Sequence, residues 1–265
     1  MKKHIAIIGL VIAAVLLINS CGSTETAPAE KVYLEGSEID AALSDGDSYK
    51  GKWIVITGKV FNIDKDGEDY AIQAWSDAEN SDRQFIVYVA GDKVESVNID
   101  DFIKVDGEIS GTFEGENAFG GVISAPLINA ESIEVGGYDD LYAPAESTKE
   151  VGDTQDQHGV KVTLDRIEYA KDEARVYVTV KNESGYNASI YTYDAKAVQD
   201  GKQFNHEDNW NAGDATDIGE VLDGGSKEGI IRFKGLDPEK PVRIQFSAYS
   251  DNWDIEMEDF VFEVE

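Results

Sequence analysis

The chain has 265 residues and carries 53 acidic against 23 basic side chains, which gives a net charge of −30 at neutral pH. Binding to nucleic acid or to anionic lipid depends on Lys and Arg side chains that neutralise phosphates. We therefore expect no nucleic-acid partner, and the length is sufficient for two domains.

The first 21 residues have the layout of an export signal. Lys2 and Lys3 precede an uncharged run too short to span a bilayer as a helix, and Cys21, the single cysteine, follows it. This terminus resembles the signal of bacterial lipoproteins, in which the chain is cut before the cysteine and the thiol is acylated. The resemblance implies a signal peptide over residues 1–20 and a lipid anchor at Cys21 in the outer face of the cell membrane. Loss of Lys2 and Lys3 would take the net charge from −30 to −32.

Two polar stretches divide the rest of the chain. Residues 22–31 contain no large apolar side chain, so we interpret 21–32 as a flexible tether. A second polar stretch, 136–150, separates two regions with different strand patterns, and we interpret it as a linker. The predicted domains are therefore 33–135 and 151–265.

The first domain is predicted to contain one short helix and five strands. Ser37 and Asp40 form a helix-start pattern, which predicts a helix over roughly 37–44 that buries Ile39, Ala42 and Leu43. Runs of β-branched and aromatic residues predict strands at 53–61, 70–75, 84–90, 102–111 and 128–135. A helical turn is possible near 94–99. Glycines inside the first and fourth strands suit the sharp coiling of a closed barrel.

Two segments of this domain, 49–60 and 101–111, look like strands of the tRNA-anticodon-binding-like family of OB folds. The resemblance covers 33–135 and implies a five-stranded barrel, but no particular activity. The loops that contact nucleic acid in OB proteins are acidic in this sequence, with Asp64, Asp66, Glu68, Asp69, Glu114 and Glu116.

The second domain, 151–265, is predicted to be an antiparallel β-sandwich. It contains about seven segments with the alternation of half-buried strands. Its sequence resembles the immunoglobulin-like extracellular domains of unknown function at the C-terminus of Gram-positive lipoproteins, which are similar to mycobacterial immunoprotective antigens. The expected fold class is therefore all-β, with an OB-like barrel followed by an immunoglobulin-like sandwich.

Four aromatic residues are candidate binding residues. Strand alternation turns Trp75 and Tyr88 outward, together with Ile86, on the face that binds ligands in OB proteins. Burial under the helix or the second domain is the alternative. Trp210 and Trp253 each end an Asp-Asn-Trp tripeptide in a predicted loop, where binding residues concentrate. The alternative for these two is that each caps one end of the core.

The sequence gives little support for catalysis. Beyond the signal it has only His158 and His206, and it lacks the Gly-x-Ser-x-Gly and His-x-x-x-His motifs. The loop 64–69 partly imitates a calcium loop, but a hairpin turn explains it better because ligands are missing. We expect no enzyme activity, cofactor or metal.

The favoured function is a surface lipoprotein that binds a protein, peptide or glycan partner outside the membrane. A spacer without a ligand is the alternative, followed by an envelope-polymer hydrolase.

Overall fold

The computed structural model describes residues 30–94, 96–116, 122–213 and 218–265. The predicted signal peptide, Cys21 and most of the predicted tether lie outside these residues. Within them, no helix combines the length and the apolar character needed to cross a membrane. Residues 32–265 belong to one structural unit that is built mainly from β-strands. The predicted all-β class is therefore confirmed.

The first half is a closed five-stranded barrel. Its strands are β1 (Trp53–Asp66), β2 (Asp69–Asp77), β3 (Asp82–Val89), β4 (Phe102–Glu116) and β5 (Val122–Gly136). They pair in the order β1-β2-β3-β5-β4, and β4 returns to β1. All neighbours are antiparallel except β3 and β5, which run parallel. Each predicted strand of this domain corresponds to one of these five.

Helix α1 (Ser37–Ser44) precedes the barrel and has the predicted bounds. It buries Ala42 and Leu43 in the barrel core, whereas Ile39 is only partly buried. Its start differs from the prediction, because the capping residue is Gly36 and no side chain caps the helix. The chain enters the helix through Gly36 with φ of 54°, a left-handed conformation that glycine adopts without strain.

The helical turn predicted near 94–99 is displaced. A single 3-10 turn lies at Gly91–Lys93 instead, and Val94 is already extended. Val94 is buried in the barrel core.

Barrel closure depends on a close approach at Gly58 of β1. Near this residue β1 stops pairing with β4 and begins to pair with β2. A Cβ atom here would lie 2.6 Å from the ring of Phe85 and 2.7 Å from the carbonyl oxygen of Trp75. One neighbour is a core ring and the other is backbone, and neither moves freely in a close-packed interior. Glycine is therefore required at this crossing.

The second half contains two sheets. The first sheet has the order β12-β8-β7-β6, with β6 (Ser147–Gln157), β7 (Val160–Tyr169), β8 (Glu173–Asn182) and β12 (Ser226–Lys234). The second sheet contains β9 (Ala188–Gln199), β10 (Lys202–Asn205), β11 (Gly219–Val221), β13 (Val242–Ser250) and β14 (Phe260–Val264). Its order is β10-β9-β13-β14, with β11 also paired to β9. Apolar side chains from both sheets form one core.

Glutamine side chains of β6 cover the free edge of β14. The Gln155 amide donates to the carbonyl oxygen of Val261 and accepts from its N–H at 3.3 Å. Gln157 bonds Glu258 in the same way, donating at 3.0 Å and accepting at 2.8 Å. An uncovered strand edge exposes backbone groups that can pair with another chain. These two side chains therefore close one side of the two-sheet half.

We expect Gly58→Ala to lower the free energy of unfolding by about 1–3 kcal/mol, the usual cost of overpacking a core. Gly137→Ala is the matched control, since a Cβ there meets nothing closer than 3.6 Å and its φ is −89°. Urea unfolding of both variants measures the difference. Equal effects of the two substitutions would contradict the tight crossing at Gly58.

Candidate partner-binding surfaces

The segment between the two halves contains a turn of helix, Tyr138–Tyr142, here named the junction turn. The amide of Ala143 donates to the carbonyl oxygen of Tyr138 at 2.9 Å and closes the turn. The linker predicted at 136–150 therefore consists of the end of β5, this turn and the start of β6. Although this stretch is polar in composition, four of its apolar or aromatic side chains pack in a small cluster: Tyr138, Leu141, Tyr142 and Ala143.

Asp139 of the junction turn lies between two arginines of the first sheet. Its carboxylate accepts hydrogen bonds from Arg232 at 2.9 and 2.8 Å and forms an ion pair with Nη1 of Arg175 at 2.7 Å. Arg175 is fully buried and Arg232 is 3 % exposed. We name these three residues the junction clamp. It fixes the junction turn to strands β8 and β12.

Two glutamates balance the remaining positive charge. Glu173 lies 2.7 Å from Nη1 of Arg232. Glu168 lies 3.4 Å from Nε of Arg175, a charge contact without hydrogen-bond geometry, and 3.0 Å from Arg166. Three carboxylates therefore lie next to three guanidinium groups: those of Asp139, Glu168 and Glu173 next to those of Arg166, Arg175 and Arg232. Buried charges require such pairing because each would otherwise lose its hydration without compensation.

The junction clamp controls how Asp139 titrates. Burial alone would raise the pKa of Asp139, but the hydrogen bonds and charges of Arg232 and Arg175 outweigh burial and lower it below its usual range. The same pairing raises the pKa of Arg232 against the effect of its burial. Asp139 and Arg232 are therefore charged at neutral pH, and loss of the Asp139 charge would leave buried guanidinium groups without this partner.

The junction turn also packs on the barrel. The rings of Tyr138 and Tyr142 lie 5.5 and 5.1 Å from the ring of Phe102, measured between centroids. The Tyr142 hydroxyl accepts from the N–H of Ala78 at 3.0 Å and donates to the carbonyl oxygen of Ser76 at 3.1 Å. Burial raises the pKa of Tyr138 to about 12. One short turn thus contacts the two-sheet half through charge and the barrel through aromatic packing.

A cleft of about 870 Å³, the junction cleft, opens beside the junction turn. Its walls are the turn after β2, the chain that follows the junction turn, the β7–β8 turn and the end of β12. Its charged lining residues are Asp77, Glu79, Glu146, Asp172 and Glu173, with Lys171 and Lys234. This excess of carboxylates favours a ligand that brings positive charge.

Trp210 stands beside a smaller recess of about 360 Å³ that adjoins the junction cleft. The two cavities share the lining residues Glu79, Glu173 and Lys234. The neighbouring Asn211 accepts from Nζ of Lys59 at 3.1 Å and donates to the carbonyl oxygen of Ala78 at 3.3 Å, which ties this loop to the barrel. Trp210 itself is 84 % exposed. It therefore does not cap the core.

Trp75 and Tyr88 both lie on the outer face of the barrel but do not form one site. Trp75 is opposite Gln84, whereas Tyr88 is opposite Ala71, so four residues, about 13 Å, separate them along the strands. Trp75 is partly buried and stacks on Phe61 with the ring centroids 4.1 Å apart. Tyr88 remains exposed.

Ile86 differs from the expectation that it faces solvent, since only 6 % of it is exposed. It lies between Gln73 of β2 and Leu127 of β5. In a closed barrel both flanks of β3 are occupied by a paired strand, so residues that pair with Ile86 lie on both sides of it on the same face. The alternation of residues along a strand predicts which face of the sheet a side chain lies on, but it does not predict how exposed that face is.

Three tyrosines cluster on the outer face of the second sheet. The ring centroid of Tyr191 lies 5.6 Å from that of Tyr193 and 6.0 Å from that of Tyr249. Tyr193 is 59 % exposed and Tyr249 is 62 % exposed. We name these residues the tyrosine cluster. It is a surface of aromatic rings on two hydrogen-bonded strands.

Trp253 follows the tyrosine cluster in sequence, four residues after Tyr249, and is 96 % exposed. The end of β13 that precedes it pairs with the start of β9, whereas the strand before Trp210 pairs with the end of β9. The two Asp-Asn-Trp tripeptides therefore belong to opposite ends of this sheet. They do not form a common site.

Sequence reasoning missed both the junction clamp and the tyrosine cluster. The available signal for the clamp was an arginine inside an apolar strand, since Arg175 lies between Ala174 and Val176. The signal for the cluster was Tyr191 and Tyr193, two residues apart on one predicted strand and hence on one face. Neither pattern reveals its partners, which come from distant parts of the chain.

No group of three or more His, Cys, Asp or Glu side chains in the described part of the chain is arranged to hold a metal ion. No family model and no curated protein matches the chain.

Two solved structures show a distant likeness. The yjhA protein from Bacillus subtilis is 12% identical, with coverage of 44% of this chain and 99% of its own and a TM-score of 0.36. A functionally unknown protein from Listeria monocytogenes EGD-e is 10% identical, with coverage of 46% and 85% and a TM-score of 0.35. Neither likeness is close enough to support an argument about fold or function.

We expect Asp139→Asn to lower the free energy of unfolding at pH 7 by about 3 kcal/mol, because it leaves two buried arginines without their shared carboxylate. A carboxyl with a lowered folded-state pKa stabilises the fold above its unfolded pKa, 3.8, and loses this contribution as pH falls through the folded value. The deficit relative to wild type should therefore shrink in urea titrations below pH 3.8. The exposed neighbour provides the control, Asp140→Asn, which should change stability by less than about 0.5 kcal/mol. A deficit independent of pH would contradict the role of this charge.

Proposed function

We propose that this chain is a non-catalytic surface lipoprotein, anchored to the outer face of the cell membrane through acylated Cys21, that binds a partner outside the membrane. The sequence supports the anchor through the basic, apolar and cysteine pattern of its first 21 residues. Two acyl chains anchor a protein stably where one does not. The acidic body would then stand away from the membrane on the predicted tether.

We assign the first half to an OB-like fold and the second to an immunoglobulin-like fold as part of this proposal. The strand order β1-β2-β3-β5-β4, with β3 and β5 parallel, supports the first assignment. Two antiparallel sheets around one apolar core support the second. Loops and strand faces of both folds bind ligands in other proteins, so the assignments are compatible with a binding role.

The observation that carries the proposal is Trp210, exposed by 84 % beside an acidic cleft. Tryptophan is among the residues that dominate interface affinity, because it buries a large area on contact. The carboxylates of the junction cleft would attract and orient a positively charged partner. The favoured partner is therefore a protein or peptide segment that packs on Trp210 and places a basic side chain in the cleft.

Three alternatives have less support. A spacer without a ligand does not account for the exposed Trp210. A polymer hydrolase requires two carboxylates at a catalytic separation, and acidic residues alone do not define such a pair. A nucleic-acid partner would be repelled by a net charge of −30.

The lipid anchor is tested by substitution of Cys21. Cells that express the wild-type chain should incorporate a fatty-acid label into the protein, and Cys21→Ser should abolish the label because the acylated thiol is lost. The fraction of protein in the membrane should fall in parallel. Equal labelling of both chains would refute the anchor.

The binding site is tested by partner capture on intact cells after crosslinking. We expect Trp210→Ala to weaken capture by at least about 2 kcal/mol, or roughly 30-fold, and to leave the thermal midpoint unchanged because the side chain is exposed. Ile99→Ala, on an exposed residue of the barrel, is the control and should capture normally. Undiminished capture by Trp210→Ala would place the site elsewhere. Absence of any captured partner would favour the spacer.

A further inference from the structure

We propose that the tyrosine cluster is a second binding surface, separate from the junction cleft, and that its ligand is an arginine-bearing segment of a peptide or protein. Guanidinium groups stack on aromatic faces, and arginine does so more often than lysine. The cluster offers three tyrosine rings on one face of a sheet, where such a group can lie against more than one ring.

The rings are held by strands whose opposite face is fixed in the core. Tyr191 is paired with Ser247, and Tyr249 is paired with Ser189. Between these positions, Ile190 and Ala248 point into the core and are buried. The rings meet at interplanar angles of 65° and 62°. They therefore form an angled surface rather than a flat stack, and the side chains of Tyr193 and Tyr249 are exposed to solvent.

An irregularity in strand pairing displaces Tyr193 from the regular sheet. In β13 only Phe246 separates the two residues that pair with Lys196 and Tyr191, so four residues of β9 face one residue of β13. Tyr193 belongs to this bulged stretch and is 59 % exposed. Bulges commonly redirect side chains at binding sites. Here the exposed ring of Tyr193 lies 5.6 Å from the partly buried ring of Tyr191, measured between centroids.

Two carboxylates flank the rings on the same face. Asp194 follows Tyr193, and its Oδ2 accepts from the Ser247 hydroxyl at 2.8 Å. Glu220 of β11 is exposed and pairs with Ser189, which in turn pairs with Tyr249. Directly paired residues share a face of a sheet. Both acids thus lie beside the tyrosines and add local negative charge to a chain that is strongly acidic overall.

Two basic side chains share this face. Arg243 pairs with Val198, beyond the bulge from Tyr191 and Tyr249, whereas Lys196 pairs with Gln245 and donates from Nζ to the carbonyl oxygen of Asp194 at 3.3 Å. The rings therefore have the carboxylates of Asp194 and Glu220 and the ammonium of Lys196 as charged neighbours. This combination of aromatic rings and flanking carboxylates matches an arginine, because the rings accept the guanidinium plane and the acids neutralise its charge. A neutral sugar could stack on the same rings and donate hydroxyl hydrogen bonds to the carboxylates, but it carries no positive charge for them to neutralise.

The test measures binding of a fluorescent peptide with spaced arginines to the mature chain carrying Cys21→Ser, at physiological salt. Trp210→Ala is present in every sample, so that Trp210 beside the junction cleft cannot contribute to binding. A negative result therefore concerns the tyrosine cluster alone and leaves the proposed function untouched. We expect the combined variant Tyr193→Leu with Tyr249→Leu to weaken binding at least tenfold. Replacement of the same two residues by Phe, which keeps the rings, should retain affinity within about twofold.

Charge controls and matched ligands complete the test. Glu220→Gln should weaken binding more than Glu263→Gln, since Glu263 is an exposed acid on β14 of the same sheet, outside the cluster. A lysine version of the peptide should bind more weakly, and a glutamine version should not bind. Equal affinity of the Leu and tyrosine-bearing chains would overturn the proposal and show general attraction to an acidic protein. Tyrosine-dependent binding of a neutral oligosaccharide, without arginine-peptide binding, would overturn the ligand class. Unchanged thermal midpoints verify that the variants are folded.

Discussion

Two buried arginines impose the constraint on which the rest of the structure depends. Arg175 and Arg232 lie on adjacent strands of one sheet, nearly without solvent, and buried guanidinium groups must be paired. Asp139 supplies the carboxylate that both arginines share, and it comes from outside the sheet. Pairing of these two arginines therefore holds the junction turn against strands β8 and β12.

The position of the junction turn sets the position of the barrel. Once Asp139 is paired, Tyr138 and Tyr142 of the same turn lie against Phe102, and the Tyr142 hydroxyl bonds the backbone after β2. The barrel turn at 77–80 then forms one wall of the junction cleft, and the end of β12 forms another. A local requirement for charge pairing thus produces a cavity between two β-structures that are far apart in sequence.

The two proposed surfaces differ in how they are built. The junction cleft depends on the contact between the halves, since its walls come from both. The tyrosine cluster lies on β9 and β13 alone, and the core beneath those strands supports it. A disturbance of the junction clamp should therefore affect the cleft and leave the tyrosine cluster in place. If both proposals hold, the two surfaces would provide separate contacts for partners that carry positive charge.

Local patterns in the sequence were sufficient to predict α1, the all-β class and the approximate places of the barrel strands, because apolar periodicity reports which residues face a core. They failed at β6, whose residues are mostly exposed and lack that periodicity. They also failed at the junction turn, where acidic neighbours masked Tyr138 and Tyr142. The exposure of the binding candidate Trp210 agrees with its position in a predicted loop. The burial of Ile86, which lies on a strand face predicted to be exposed, could not be read from the alternation of residues along one strand.

The most direct test of the account compares two fragments of the second half. Residues 146–265 contain all the described strands of both sheets, and residues 137–265 add the junction turn with Asp139. Urea unfolding should give a clearly higher midpoint for the longer fragment, because only that fragment contains Asp139, the carboxylate that Arg175 and Arg232 share. Asp139→Asn in the longer fragment should remove most of this gain. Equal midpoints for the two fragments would contradict the claim that the junction clamp organises the structure.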